Sequence, residues 1–360
     1  MTKFILKHGG NIFDYSKKLN VLPRDIIDAS ASLVPFSTPK FLFKELKKEL
    51  KNKNFKYYPE KNFQELRHAI GSFHNINPNN ILPGNGASEL ITWIGNEASE
   101  IGINCLPSPC FADYERSLKC WNADYVFNKL PKDWGIEYPQ AYPLMPKVDV
   151  LWITNPHNPT GQLWSKESLK KLLLNYKLIV CDEAFLSITP EGEKESLIPF
   201  VKDFDNLVVI RSLTKLFSIP GLRLGYMVGN KKLLKKIKYK RDPWPLNSFA
   251  IKAGITLLTN KTEYESWTRK IHNWINIEKK WMYSEIERIN QLRVLNSCTN
   301  FFLIKSRKSM ITNIKYLEKQ GILIRECSSF RSLNNKWARI SIQKHSDNKK
   351  IINEIQNSFK

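Results

Sequence analysis

The stretch of this chain richest in reactive groups reads Arg211-Ser212-Leu213-Thr214-Lys215-Leu216-Phe217-Ser218-Ile219-Pro220-Gly221-Leu222-Arg223-Leu224-Gly225 and follows an apolar run. Ser212, Thr214 and Arg223 are phosphate-binding groups, and the glycines let a backbone approach a ligand closely. Lys215 can form an imine with an aldehyde cofactor, provided its surroundings keep the amine partly unprotonated.

Three other segments carry groups that complement such a lysine. Cys181-Asp182-Glu183-Ala184-Phe185 ends an apolar run. A carboxylate there either caps a following helix or pairs with a protonated pyridine nitrogen, making the ring an electron sink. Asn155-Pro156-His157-Asn158-Pro159-Thr160-Gly161 is a rigid turn whose asparagine amides can donate to a phenolic oxygen. Pro83-Gly84-Asn85-Gly86-Ala87-Ser88-Glu89-Leu90 is a glycine loop opening an amphipathic helix, an anion site by virtue of its backbone N–H groups and the helix dipole.

The elements positioning these segments follow from hydrophobic periodicity. Short apolar runs at Ile103–Leu106, Val148–Thr154, Leu178–Cys181 and Leu207–Ile210 alternate with amphipathic stretches, which predicts βαβ units and a mostly parallel sheet. Ligands gather at the carboxyl ends of strands in such sheets. Beyond them, Trp267 to Ile289 reads as one long helix, followed by strands at Phe301–Ile304 and Trp337–Ile342. That pattern predicts a smaller α+β domain, joined by the N-terminal segment.

Bulk properties narrow the classes. A chain of 360 residues suits a large domain plus a smaller one, and 42% hydrophobic residues suffice for a sizeable core. No apolar run approaches membrane-spanning length and the start is too polar for a signal peptide, so a cytoplasmic protein is expected. Cys105, Cys110, Cys120, Cys181, Cys298 and Cys327 contain no C-x-x-C pair and no zinc spacing, so neither disulfides nor a metal site is expected. The formal charge of +22 raises nucleic-acid binding as a question. The lysines are scattered, however, and clusters such as Lys231-Lys232 with Lys235-Lys236 read as solvated helix faces; no nucleic-acid partner is expected.

Taken in order, N-P-x-N-P-T-G, D-E-A-F and S-x-T-K-x-F-x-x-P-G-L-R-x-G closely resemble the class I/II aminotransferase family, the fold-type I pyridoxal-phosphate enzymes, over essentially the whole chain. The resemblance implies a three-layer α/β/α large domain with a mostly parallel sheet at 46–245 and a smaller α+β domain at 246–360. Residues 1–45 would pack with the smaller domain. It implies pyridoxal 5′-phosphate as cofactor and a homodimer with a shared active site. Lys215 matches the Schiff-base lysine, Asp182 the partner of the pyridine nitrogen, and Asn158 the donor to the phenolic oxygen. Gly86, Ala87, Ser88, Ser212, Thr214 and Arg223 match the phosphate contacts. Phe111 stands where an aromatic stacks on the ring, and Tyr58 where a tyrosine reaches the phosphate across the dimer interface. Arg339 matches the arginine that grips the substrate carboxylate. Many relatives have tyrosine at the position of Phe185, whose ring donates no hydrogen bond, so the tuning of the cofactor oxygen rests more on Asn158.

The start Lys7-His8-Gly9-Gly10-Asn11 looks like the H-G-G-N opening of threonine-phosphate decarboxylases, the cobalamin-pathway branch of the family, whose D-E-A-F also carries phenylalanine. That branch implies a phosphorylated amino acid as substrate, with His8 and Arg325 gripping its phosphate. Ser30-Ala31-Ser32-Leu33-Val34-Pro35 departs from the S-x-N-I-N-P-like segment of those enzymes. Transamination of histidinol phosphate or a similar amino acid is the alternative. A basic binding protein that kept the fold and lost catalysis is another, and the joint presence of Lys215, Asp182, Asn158 and Arg223 argues against it.

Overall fold

A computed structural model describes residues 9–131 and 137–360. Its strands are β1 (Ile27–Ala29), β2 (Ile81–Asn85), β3 (Asn104–Ser108), β4 (Tyr125–Lys129), β5 (Val150–Thr154) and β6 (Leu178–Asp182). There follow β7 (Leu207–Ser212), β8 (Leu224–Val228), β9 (Leu292–Val294), β10 (Phe301–Ser306), β11 (Ile322–Glu326) and β12 (Trp337–Ser341). A seven-stranded sheet runs β2-β8-β7-β6-β5-β3-β4, and a five-stranded one runs β1-β11-β12-β10-β9. In the large sheet β8 is antiparallel to both its neighbours, and the other pairings are parallel. In the small sheet only β1 and β11 are parallel.

The continuous apolar runs have a physical cause in this layering. Ile179, Cys181, Leu207 and Val209 point into one core, and Leu178, Val180, Val208 and Ile210 into another. Helices cover both faces, so neither side of β6 or β7 has use for polar residues. The three-layer large domain with an added α+β unit is the architecture expected of the sequence.

Boundaries shift for local reasons. β5 begins at Val150 rather than at Val148, because the Asp149 N–H instead bonds the Ile103 carbonyl (3.1 Å) and its carboxylate accepts the Ile103 N–H (2.9 Å). The long helix begins earlier than expected, running Lys261–Glu287, since Tyr264 is buried on the same face as Ile271, Ile275, Met282 and Ile286. Ile271 and Ile275 belong to the core beneath the large sheet, and Met282 and Ile286 to that of the small sheet. One helix thus passes through both cores. Just past residue 245, the helix Ser248–Thr259 puts Ala250, Ala253 and Leu257 into the core of the large sheet. Among the described residues no helix is long and apolar enough to cross a membrane.

An ion cluster anchors the strand ends. Arg211 of β7 places Nε 2.8 Å from Glu183 Oε2 and donates from both Nη atoms to the Glu193 carboxylate, each at 2.7 Å. Glu183 also accepts the Ser196 hydroxyl (2.8 Å) and the Leu197 N–H (2.7 Å). Arg211→Met leaves the buried Glu183 without its cation, which costs about 3–5 kcal/mol. Urea unfolding of the variant checks this; a loss under about 1 kcal/mol would show that the cluster does not anchor β6 to β7.

Candidate active site

The carboxyl ends of β5, β6 and β7 deliver the reactive groups to one place. Thr154 and Asp182 are register partners at the ends of β5 and β6, and Ser212 ends β7. Lys215 sits in the single helical turn Thr214–Phe217 that follows. Its ammonium nitrogen lies 5.5 Å from the centre of the Phe185 ring. Burial of that end and the neighbouring Arg339 and Arg223 charges pull its pKa down to about 8, with Asp182 opposing. The amine is therefore substantially unprotonated just above neutrality, as imine chemistry requires.

Asp182 is a buried carboxylate held in a fixed orientation. Oδ2 accepts the Tyr114 hydroxyl (2.7 Å) and Oδ1 accepts the Ala184 N–H (2.9 Å). Burial raises its pKa, and these hydrogen bonds and Lys215 oppose the rise. The Tyr114 oxygen also shares a hydrogen bond with Thr154 Oγ1 (2.8 Å). Tyr114 and Thr154 are supports that pattern reading did not single out. The available signal was the placement of Tyr114 on the same helical turn as Phe111, which flanks the helix Ala112–Cys120 and meets Tyr114 edge-on.

An anion cradle lies alongside. The helix Gly86–Ile101 begins at Gly86, whose φ is +75°, and a Cβ there would fall 2.6 Å from Arg223 Nη2. A Cβ at Gly225 would fall 2.9 Å from the Ala87 nitrogen. Both positions need glycine for backbone, helix start and guanidinium to come this close. Ser88 follows in the first turn, and Ser212 Oγ and Thr214 Oγ1 share a 2.7 Å hydrogen bond. Helix N–H groups, one guanidinium and two hydroxyls are the donor set a phosphate monoester requires.

The small sheet adds two arginines. Arg339 of β12 donates from Nη1 to Asn158 Oδ1 (2.6 Å) and from Nη2 to the Ser30 carbonyl (2.8 Å). Its guanidinium lies 4.9 Å from the Phe301 ring centre, and Nε has no partner among the described residues. With the Asn158 carbonyl taken, the amide NH2 is the end left for an acceptor. Burial lowers the Arg339 pKa to about 10, the nearby Arg325 contributing. Arg325 is its register partner across β11 and β12 and donates to Ser329 Oγ (2.7 Å). Each arginine is 6% exposed.

Ser30 is a further support that residue patterns did not reveal. Its hydroxyl donates to Asp28 Oδ1 (2.5 Å) and accepts the Gly10 N–H (2.9 Å), while its carbonyl holds Arg339. A Cβ on Gly9 would come within 2.3 Å of that carbonyl oxygen. His8 lies outside the described residues. Tyr58 is 80% exposed and packs on Trp244, with ring centres 4.7 Å apart, outside the Lys215 constellation.

The family described as aminotransferase class I and II matches residues 24–355. The chain is 32% identical to a candidate threonine-phosphate decarboxylase of Caldanaerobacter subterraneus, covering 98% of this chain and 94% of the relative. The crystal structure of the histidinol-phosphate aminotransferase from Clostridium acetobutylicum has a TM-score of 0.82 at 29% identity, covering 92% of this chain and 98% of that one. That of L-threonine-O-3-phosphate decarboxylase from Porphyromonas gingivalis scores 0.80 at 27% identity, covering 93% and 99%.

Borohydride trapping of pyridoxal phosphate on the protein is expected to label Lys215, with half-maximal labelling near pH 8, falling as pH drops and the amine protonates. Arg339→Met removes a neighbouring positive charge and moves the midpoint upward. Peptide mapping across a pH series checks both; a midpoint near the ordinary lysine value of 10.5 would contradict the burial argument.

Proposed function

The chain belongs to the class I and II aminotransferase family, whose members are pyridoxal-phosphate enzymes, and from that premise we propose that it decarboxylates L-threonine O-3-phosphate. The observation that carries this reading is the pairing of Arg325 with Arg339 in one register, both buried and neither in an ion pair among the described residues. Two guanidiniums call for two anionic groups. Threonine phosphate carries a carboxylate and a phosphate on one molecule, one anion for each arginine.

Pyridoxal 5′-phosphate, when bound, supplies an electron sink for a bond breaking at the substrate α-carbon. The residues suited to hold it are Lys215 at the aldehyde, Asp182 at the pyridine nitrogen and Asn158 at the phenolic oxygen. Gly86, Ala87, Ser88, Ser212, Thr214 and Arg223 suit its phosphate, and Phe111 its ring face. The substrate's own groups fall to Arg339 for the carboxylate and Arg325 for the phosphate, and His8, outside the described residues, is proposed as a second phosphate contact. Which bond at the α-carbon breaks depends on which is held in alignment, and in this reading that choice falls to the two guanidiniums. Lys215, with a depressed pKa, is the group able to deliver the proton that replaces the departing carboxylate.

We further propose a homodimer in which Tyr58 reaches the neighbouring site; its exposure, with that of Phe55 and Tyr57 beside it, supports this. A cytoplasmic location agrees with six unpaired cysteines, and a step in cobalamin biosynthesis follows from the substrate proposed.

Incubating the protein with L-threonine O-3-phosphate and no keto acid is expected to release carbon dioxide and an amino-propanol phosphate steadily. Arg325→Gln is expected to lower kcat/KM by about 10²-fold, the worth of a charge-assisted contact. Amino transfer from histidinol phosphate without carbon dioxide release would establish the aminotransferase reading instead.

A further inference from the structure

A second cationic cavity lies apart from the Lys215 site. It encloses about 480 Å³ between the segment around Lys61, the helix Gln64–His74, β2 and the helix Lys231–Lys240. Seven of its lining residues are Lys or Arg and none is acidic. The carboxylates that act on its arginines are Glu60, near Arg67, and Glu89 and Asp242, near Arg241; all three stand outside the lining. The cavity shares no lining residue with the Lys215 constellation.

Solvated lysines alone would amount only to a charged surface. Arg241 is different in kind. It is 7% exposed, yet its only ion pair among the described residues is a long one, Nη1 to Glu89 Oε2 at 3.4 Å. A guanidinium has five donors, so a nearly buried arginine with one stretched contact has donors to spend on whatever enters the cavity it lines. Burial lowers its pKa, as expected for a cation short of compensating charge. Arg67, also in the lining, spends its donors on the neutral Pro78 carbonyl (2.8 Å) and Asn79 Oδ1 (2.9 Å), with Glu60 acting on it only at longer range. Among the described residues Lys238 likewise donates to a neutral group, the Asn62 amide oxygen, at 2.5 Å.

We infer that this cavity binds a small oligophosphate, with Arg241 at its floor and Lys235 and Lys238 at its rim. A single phosphate would leave most of the seven cations unmatched, whereas a di- or triphosphoryl group brings more negative charge to them. The ligand would sit behind the cofactor-phosphate loop, because Glu89 Oε2, which faces Arg241, also accepts the Asn85 N–H (3.1 Å) just before Gly86. The inference is independent of which reaction the enzyme performs.

The test is calorimetric titration of pyrophosphate and of adenosine triphosphate into the holoenzyme with its lysine adduct reduced, so that the cofactor site is filled. One equivalent per chain is expected, weakened about tenfold or more by Arg241→Gln and by the surface pair Lys235→Glu with Lys238→Glu. Arg325→Gln, in the substrate site, is expected to leave it unchanged. Tighter binding of the nucleotide would identify a nucleoside polyphosphate, and equal binding an inorganic one; either supports the site. Binding lost in Arg325→Gln but kept in the surface pair would overturn it as substrate-site occupancy. So would a chain that binds an oligonucleotide but neither small probe, which would mark this face as a nucleic-acid surface.

Discussion

An excess of positive charge drawn out of water dominates this molecule's working centre. Arg325 and Arg339 are buried there, the exposed Arg223 joins Arg339 in acting on Lys215, and Asp182 is the buried carboxylate that answers Lys215. Such an arrangement is unfavourable for an empty protein and favourable for one that receives anions, since the Arg325 and Arg339 guanidiniums are desolvated before a ligand arrives. The same burial that makes the arginines costly lowers the lysine pKa to about 8, so anion binding and amine reactivity share one cause.

The surroundings serve to keep those charges in place. Tyr114 and the Ala184 N–H fix the Asp182 carboxylate; Asn158 and the Ser30 carbonyl fix Arg339; Gly86 and Gly225 let Arg223 reach the helix start. Segment 28–34 is the strap that ties them together. It pairs through β1 with the small sheet, supplies Ser30 to Arg339, shares a Ser32–Ser341 hydroxyl bond of 2.7 Å and bonds from the Val34 N–H to the Lys215 carbonyl at 3.4 Å. The departure at Ser30-Ala31-Ser32-Leu33-Val34-Pro35 therefore falls where the two sheets' contributions meet. The strap works here through its backbone, the Asp28 carboxylate and the Ser30 and Ser32 hydroxyls, and the asparagine that reaches it, Asn300 to the Leu33 carbonyl (3.3 Å), comes from outside the segment.

Charge elsewhere is organised more than the overall value of +22 suggests. The helix Lys231–Lys240 does carry a solvated face, with Tyr239 77% exposed. Four of its exposed lysines, Lys231, Lys232, Lys235 and Lys238, nevertheless line a cavity together with the buried Arg241. Lys240 on the same helix is neutralised by Glu97 (2.7 Å) and Glu100 (2.8 Å). Position on a single helix decides between a solvated charge, a paired one and one lining a cavity.

The sequence alone determined the reactive set and the layering. Lys215, Asp182, Asn158 and the glycine loop each follow or end an apolar run, and in a parallel sheet such runs must be buried strands whose carboxyl ends converge. Their chemistry is local, a matter of residue type and immediate neighbours, and so it was readable. Only the tertiary structure decided that Arg325 would face Arg339, that Tyr114 and Ser30 would support the site, and that a buried Arg241 would share a cavity lining with five lysines. Those relations join residues tens to hundreds of positions apart, and they turn on strand register and on which charges lose water. No periodicity in the chain encodes either, because the same arginine costs little in solvent and a great deal once packing has closed over it.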